Sequence, residues 1–552
     1  MPTAAWPIGL PRHLAYPDVA LDTVLISAAA SYPDRIALRD NENQLTYGEL
    51  LTQARHVAGG LRARGIHSGD VIALHMPNSV WFAVAYYGAL LAGATVAPIN
   101  PAQPASALRQ QLTDVRAVAV ITSPLAADRV LDANVEQVRL IIGVPGDGEL
   151  PGAVTKLADV LDSEPLDDLR IDPTMAAHLQ LTGGTTGRSK AVRVLHRNVV
   201  ANILQCAAWR ASALGQMDAN GELHLAQIIE AVGPHTLTPG HSVHLGIAPL
   251  FHGLGLVGLN IEIALGTTII FPRGFHPDQV IVDIQRHRVT HLIGSPPMYY
   301  ALLRSPKLAA HDTSSVRMII SGAAPIDTST LAALAAAFPN AGVTEGYGCS
   351  EATMGLAFGP VWCDEPSPLG SVGLPLFDTE IELRDSDGNV VPDGAVGELC
   401  ARGPQISAGY LNEPELTANQ FHDGWLLTGD MGRRDERGFI YLIGRAKDMV
   451  IYKGYNVYPQ PLEDLLCSHP SVTQAAVVGR PDVSAGEIPV GFIVLSSGTT
   501  NSSSLMEEVM AFVAERVAPY QKVRELYVVD ALPLTPTGKV LKSELRDQLV
   551  IR

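Results

Sequence analysis

Apolar and polar positions along the first third of the chain switch repeatedly between a helical and a strand period. Thr46 and Glu49 stand at capping-box spacing and open a helix expected to run to about Gly65. A strand is predicted at Val71–His75. Trp81 to Ile99 then carries no charge over nineteen residues. That length suits a membrane span, but Gly88, Gly93 and Pro98 punctuate it and no basic residue flanks it closely. The segment is read as a buried helix, Ser79 to Leu91, followed by a short strand, Thr95–Pro98. Apolar runs at Ala117–Thr122 and Val138–Gly143 continue the alternation, which predicts a layered α/β fold with a largely parallel sheet. From Gly370 the pattern turns strand-rich: Thr379–Arg384, a turn at Asp387–Gly388, then Gly397–Arg402. Arg445 to Asp448 form a charged link, and the remainder is long enough for a small α+β domain. The expected division is a large N-terminal domain at 1–444 with a β-rich subdomain, a hinge at 445–448, and a C-terminal domain at 449–552. The polar patch Ser496–Ser504 reads as a surface loop.

Composition narrows this picture. At 552 residues the chain exceeds one compact core, and 47% hydrophobic with 17% charged residues is a globular balance. A formal net charge of −17 argues against a nucleic-acid groove, so acidic substrates must be held by local donors. Cys206, Cys349, Cys363, Cys400 and Cys467 show no paired spacing, which fits neither a disulfide framework nor a zinc site and suits a reducing cytosol. Met1 to Asp18 lacks a secretory pattern, and a cytoplasmic location is expected.

The strongest local chemistry lies at Leu181 to Lys190. Gly183, Gly184 and Gly187 let backbone approach an anion, Thr185 and Thr186 add hydroxyl donors, and Lys190 adds charge. The Gly-Lys-Ser/Thr ending of a Walker A loop is missing. Gly253, Gly255 and Gly258 match a dinucleotide fingerprint by spacing, but a mid-chain match is weak and a nicotinamide site is rejected. His241, His244 and His252 have no Cys or Glu at ligand spacing; His241 and His244 are read as loop residues.

The segment Thr182–Lys190 resembles the phosphate loop of the superfamily of acyl-CoA synthetases, peptide-synthetase adenylation domains and luciferases. Pro249–Gly253, Ser321–Pro325, Tyr347–Glu351, Thr428–Asp430, Gly444–Asp448, Lys453–Val457 and Pro536–Lys539 resemble further family motifs, in family order. The resemblance spans about residues 20 to 548, and implies ATP-dependent activation of a small carboxylic acid as an acyl-adenylate.

Position by position, it implies that Thr182 to Gly187 wrap the β- and γ-phosphates, with Thr186 also catalytic. Ser321, Gly322, Ala323, Ala324 and Pro325, with Glu345, Gly346, Tyr347, Gly348 and Ser350, would form the adenine slot, Tyr347 stacking on the base. Glu351 would hold Mg²⁺, Asp430 the ribose hydroxyls, and Arg445 the ribose or α-phosphate. Lys539 would bridge the substrate carboxylate and α-phosphate. A mobile C-terminal domain would turn about Lys447, and Lys453, Gly454 and Tyr455 would then line a channel for the pantetheine of coenzyme A. An acyl or peptidyl carrier protein is the alternative acceptor.

His252 stands where amino-acid-activating relatives place an Asp, which argues against an α-amino acid. The implied acyl pocket is His252, Gly253, Gly255, Ser295, Ser321, Gly322, Gly346, Gly348, Ala352 and Met354, mostly small and uncharged. A medium- or long-chain fatty acid is the first expectation and an aromatic acid the second. Ser189, Ala191 and Ser350 depart from the usual Pro, Gly and Thr, and Pro461 from Glu. The stretch Ala211–Leu245 is longer than the family norm and is expected above the acyl pocket.

Overall fold

The computed structural model describes the chain except residues 1–5, 7–8, 168, 183–188, 220–221, 363–366, 497, 536–537 and 552, and the side chains at 550 and 551. Thr46 caps the helix Tyr47–Ala63 reciprocally: its Oγ1 accepts from the Glu49 amide at 3.2 Å, and its own amide donates to Glu49 Oε2 at 2.8 Å. The helix Val80–Leu91 packs against it and is buried all round, which is why nineteen positions could dispense with charge. Its tyrosine hydroxyls are satisfied inside: Tyr87 donates to Asn260 Oδ1 at 2.9 Å and Asn260 donates to Tyr86 at 3.0 Å. No described helix is long and apolar enough to cross a membrane.

Two large sheets form the body. Seven strands run in the order Thr155–Lys156, Leu140–Gly143, Ala117–Thr122, Val71–His75, Thr95–Pro98, Ala176–Thr182 and Lys190–Leu195, parallel except for the last pair. The second has nine strands, with a parallel centre that includes Val243–Leu245, His291–Gly294, Met318–Ser321 and Gly342–Tyr347. An antiparallel five-stranded sheet follows between Glu380 and Arg445, and a fourth of five strands lies between Val450 and Val528. Helices Pro459–Cys467, Ser503–Ala514 and Lys542–Ile551 accompany the last sheet. This is the expected mixed α/β body with β-rich and α+β parts.

Two local expectations change. Ser502 is a helix cap, its Oγ accepting from the Leu505 amide at 3.2 Å, so the serine patch ends inside an element rather than in a loop. The 211–245 stretch, expected as a loop, contains a hairpin, Ala213–Met217 with Leu223–Gln227, that packs on the helix Asp22–Ser31. The Leu223 amide donates there to Ser27 Oγ at 3.1 Å.

Candidate active site

Gly294, Ser321 and Glu345 lie in register at the carboxyl ends of three neighbouring parallel strands, where an α/β sheet opens a ligand crevice. The chain turns sharply there. The Gly322 amide donates to the Gly294 carbonyl at 2.9 Å, and Ala323 takes a positive φ of 66°. A non-glycine residue in that region stores strain, a feature concentrated at ligand sites. Ser321 Oγ is buried without a hydrogen-bond partner among the described residues.

Tyr347 ends its strand buried and donates its hydroxyl to Asp430 Oδ2 at 2.8 Å. Arg445 Nε meets Asp430 Oδ1 at 3.0 Å, because the two residues face each other across the antiparallel pair Trp425–Arg434 and Ile440–Arg445. Burial and then Asp430 push the Tyr347 hydroxyl well above its ordinary value, and Asp430 raises the Arg445 guanidinium.

Glu351 follows in a single 3₁₀ turn, Ser350–Ala352. One of its oxygens accepts the Tyr410 hydroxyl at 2.7 Å, and Lys190 Nζ lies 5.7 Å from the centre of the same ring. Tyr410 therefore joins Lys190 to Glu351; no motif had singled it out. Just beyond, Thr353 adopts φ 65° and ψ −59°, and the Met354 amide closes on the Ala352 carbonyl at 2.6 Å. This rare γ-turn is held by Thr353 Oγ1 donating to the Gln405 carbonyl at 2.6 Å. Thr182 pairs with Lys190 across the hairpin. Gly183, Gly184, Thr185, Thr186 and Gly187 lie outside the described residues, as do Pro536 and Thr537 of the last motif.

Lys539 arrives from the far end of the chain. Gly538, at φ 84°, presses on the start of the helix Pro296–Arg304, where an added Cβ would lie 2.6 Å from Pro297 Cγ and 3.6 Å from Ser295 Oγ. The Lys539 side chain keeps contact with solvent but stands in a crowded cleft. Desolvation and then the Arg445 charge lower its ammonium, while Asp430, Cys349 and Glu351 pull the other way. His252 caps the helix Gly253–Ala264, its Nδ1 accepting from the Leu254 amide at 3.3 Å. Burial and then Lys539 depress His252 to about 4, so it is neutral at pH 7. Tyr347, Glu351, Asp430, Arg445, Lys539 and His252 thus converge on one cleft, with the C-terminal part docked over it.

Lys453, Gly454 and Tyr455 do not join them. Lys453 (φ 50°) and Gly454 (φ 83°) form a two-residue hairpin turn between Tyr452 and Tyr455, and Tyr455 stacks on Tyr520 at 4.7 Å. An added Cβ on Gly454 would meet nothing within 4 Å. Lys447 sits in the single turn Ala446–Asp448, its ammonium lowered by desolvation and then by Arg445. Pro461 lies in the first turn of its helix, where no backbone hydrogen bond is lost. Glu463 accepts from the Val477 amide and pairs with Lys542, both at 2.7 Å.

A second group spans the docked surfaces. Glu345 is buried and pushed up to about 8 by burial, then by Asp464 and Asp327. Asp464, on the helix Pro459–Cys467, keeps contact with solvent; desolvation at the seam, then Glu463 and Asp327, push its carboxyl upward. Asp327 itself accepts the Tyr300 hydroxyl at 3.1 Å.

The glycines assigned to the acyl pocket have mixed reasons. A Cβ on Gly346 would strike Phe358 at 2.7 Å, one on Gly348 the Met354 carbonyl at 1.7 Å, and one on Gly255 the Pro249 carbonyl at 2.2 Å. These positions accommodate protein rather than opening space. Open space begins further along the helix at Gly258, where a Cβ meets nothing within 4 Å. Leu254, Gly258 and Glu262 line one wall of a narrow slot, with Ile269, Phe271 and Ile293 opposite.

Arg210, His244 and Glu262 close the slot. Glu262 Oε1 lies 3.1 Å from His291 Nε2 and 3.6 Å from Arg210 Nη1, and the rings of His244 and His291 stack at 4.7 Å. Burial raises Glu262, but His291, His244 and Arg210 outweigh it and hold its carboxyl at about 2; burial and then His291 lower His244 to about 4. His244 is therefore a buried strand residue, not a loop residue, and it has a glutamate within ligand reach that linear spacing concealed.

Residues 25–411 match the model of the AMP-binding enzyme family, and residues 461–539 that of the AMP-binding enzyme C-terminal domain. A long-chain-fatty-acid–CoA ligase of Bacillus subtilis is 32% identical, covering 99% of this chain and 97% of its own. The 4-coumarate–CoA ligase 3 of Oryza sativa is 33% identical, covering 91% and 87%. The ATP-bound crystal structure of MatB from Rhodopseudomonas palustris superposes with a TM-score of 0.82 at 29% identity, over 96% of this chain and 98% of that one.

Proposed function

This chain belongs to the AMP-binding enzyme family, and on that premise we propose that it joins a carboxylic acid to coenzyme A through an acyl-adenylate. The observation that carries the reading is the meeting of Lys539 with the Tyr347–Asp430–Arg445 group and Glu351 in one cleft. In the first step a carboxylate oxygen bonds to the α-phosphorus of ATP and pyrophosphate leaves. Lys539 steadies the charge shared by the carboxylate and the α-phosphate as they close, a placement that acts mainly in the transition state. Tyr347 and the turn Ser321–Pro325 hold the adenine, Asp430 the ribose hydroxyls, Arg445 the ribose or α-phosphate, and Thr182, Lys190 and the loop between them the outgoing phosphates. Glu351 suits Mg²⁺ brought with ATP: it is a hard carboxylate at the cleft, oriented by the Tyr410 hydroxyl.

In the second step the thiol sulfur bonds to the acyl carbon and AMP leaves. Residues 449–552 turn about 445–448, near Lys447, and the hairpin at Gly454 comes to line the thiol's path. Coenzyme A is the acceptor, and a carrier-protein arm is the alternative.

The acid is a medium- or long-chain fatty acid, a reading supported by the open face at Gly258 and by the likeness to a fatty-acid ligase. The comparable likeness to a coumarate ligase supports an aromatic acid as the second reading. Pyrophosphate release across a panel of alkanoic and aromatic acids, with and without coenzyme A, tests both. Turnover should need ATP and an acid, and should be fastest with a straight chain. A preference for benzoate or a cinnamate over every alkanoate overturns the fatty-acid assignment; no ATP-dependent release with any acid overturns the ligase.

A further inference from the structure

We infer that Asn78 and Gln180 are positioning residues for acyl-adenylate formation: from the seven-stranded sheet they clamp the loop that carries His252 into the cleft. This rests on the acid–CoA ligase reading and adds to it two residues that touch neither ATP nor the acid. Seven residues, Gly246 to His252, join the strand Val243–Leu245 of the nine-stranded sheet to the helix Gly253–Ala264. They lie outside strand and helix, so their backbone polar groups need partners from elsewhere.

The other sheet supplies several of them. Asn78 stands in the link between the strand Val71–His75 and the helix Val80–Leu91. Its Nδ2 donates to the Gly246 carbonyl at 2.9 Å and to the Ala248 carbonyl at 2.8 Å, and its Oδ1 accepts from the Leu250 amide at 2.9 Å. One side-chain amide thus spends both its protons and its oxygen on alternate residues of a single loop. Gln180, buried in the strand Ala176–Thr182, donates to the Phe251 carbonyl at 2.8 Å. The His252 amide then closes on the Pro249 carbonyl at 3.0 Å. The helix leaves no slack on its own side: a Cβ on Gly255 would lie 2.2 Å from the Pro249 carbonyl oxygen and 2.7 Å from that of Ala248.

The loop reads Gly-Ile-Ala-Pro-Leu-Phe-His, so His252 is the one polar side chain that the clamp aims. Its Nδ1 accepts from the Leu254 amide, which leaves the proton of the neutral ring on Nε2 and makes that atom a donor beside Lys539. A donor of this kind helps the reaction only while its place is held closely.

The test is a double-mutant cycle on kcat/KM for decanoic acid in ATP-dependent pyrophosphate release. Asn78→Ala should lower it by about tenfold or more, because small misplacements near the reacting atoms are costly. The KM for ATP should change by less than about twofold, the split expected when the adenine slot on other strands is untouched. In a His252→Ala background the same change should cost less than about twofold, since residues acting through one another are not additive. Asn78→Asp keeps the shape but sets an oxygen against two carbonyls, and should resemble Asn78→Ala rather than the native enzyme. A second readout needs no turnover: diethyl pyrocarbonate should label His252 faster in Asn78→Ala than in the native chain, while the buried His178 and His196 stay protected. Losses that add fully with His252→Ala, or an unchanged labelling rate at His252, overturn the inference. Should Asn78→Ala not fold, Gln180→Met, close in length but without a donor, carries the same cycle and the same labelling. Pyrophosphate release with no acid sinks the ligase reading, and labelling then still decides whether the clamp holds His252.

Discussion

Lys539 is carried into the cleft by a loop whose apex, Gly538, has no room for a side chain against Pro297. Lys539→Ala should therefore lose the charge without moving the loop. Adenylation should fall by about 3 kcal/mol or more, the scale of losing one preorganised donor to developing charge. Thioester formation from supplied acyl-adenylate should persist, and stopped-flow assays of the two half-reactions separate them. Equal loss in both would sink the two-arrangement reading. The residues that meet Lys539 were legible because each belongs to a short motif with its own chemistry. Tyr410 was not: its partners Glu351 and Lys190 lie far off in the chain, and an isolated tyrosine has no periodicity. Arg210, Glu262 and His291 escaped for the same reason, as an ionic group assembled from a helix end, a second helix and a strand. Gly258 was seen, but as part of a rejected cofactor fingerprint; its use becomes visible only when the opposite wall is in place.

The hairpin turn Lys453–Gly454 needs positive φ at both positions, so its glycine has a local explanation independent of any channel. Two substitutions separate the explanations. Gly454→Asn tolerates the left-handed conformation, whereas Gly454→Leu adds bulk and about 1–2 kcal/mol of backbone strain. Both should support pyrophosphate–ATP exchange. Only the leucine variant should lose thiol consumption from preformed acyl-adenylate, beyond what its lowered melting temperature explains. Native thiol rates in both variants would make Gly454 a turn residue and nothing more. Elements were most legible where local chemistry and tertiary packing agree. The capping box at Thr46 and the strand Thr95–Pro98 appear where the pattern put them. The hairpin within 211–245 was missed because its strands are short and lack a regular apolar–polar alternation, and they lie on a surface supplied by the helices Asp22–Ser31 and His196–Ala211.

Five histidines, the buried His75, His178, His196 and His244 and the half-buried His252, have values depressed to between about 3 and about 4, each chiefly by desolvation. The unfolded chain binds protons at these sites from pH 6.5 downward while the folded chain does not, so they subtract stability as pH falls from 6.5 towards 4. Asp22, Glu345 and Asp464 have the opposite sign, with values raised to about 6, 8 and 7, and add stability on acidification from there towards pH 4. Above pH 6.5 only the carboxyls act; below it the histidines outnumber them. Melting temperature should therefore peak near pH 6.5 and fall on the acid side. A steady rise down to pH 5 would contradict the buried neutral histidines. The layered α/β body was legible because its parallel strands are short, apolar and spaced by helices. Which strands neighbour one another was not, since the nine-stranded sheet sets Val243–Leu245 between Thr268–Ile270 and His291–Gly294 and pairs Thr268–Ile270 on its other side with Ile36–Arg39, from the far end of the chain.

Glu345 and Asp464 come from the two parts of the chain that meet over the cleft; the Glu345 carboxyl is pushed up by burial and then by the charge of Asp464, whose own side chain stays exposed. In the swing proposed above, Glu345 would lose the Asp464 charge and its carboxyl would fall back towards an ordinary value. The proposed swing between half-reactions would then also be an acid–base event: protons would leave as the C-terminal part lifts and return as it docks. Proton release becomes a clock for the motion, readable with a pH indicator in weak buffer during a single turnover, and its heat should vary with the ionisation enthalpy of the buffer. Because the docked form binds more protons, raising the pH from 7 to 8 should shift the balance towards the thioester-forming arrangement, and Asp464→Asn should flatten that dependence. An unchanged proton count in the variant would show that the motion carries no protons at this seam.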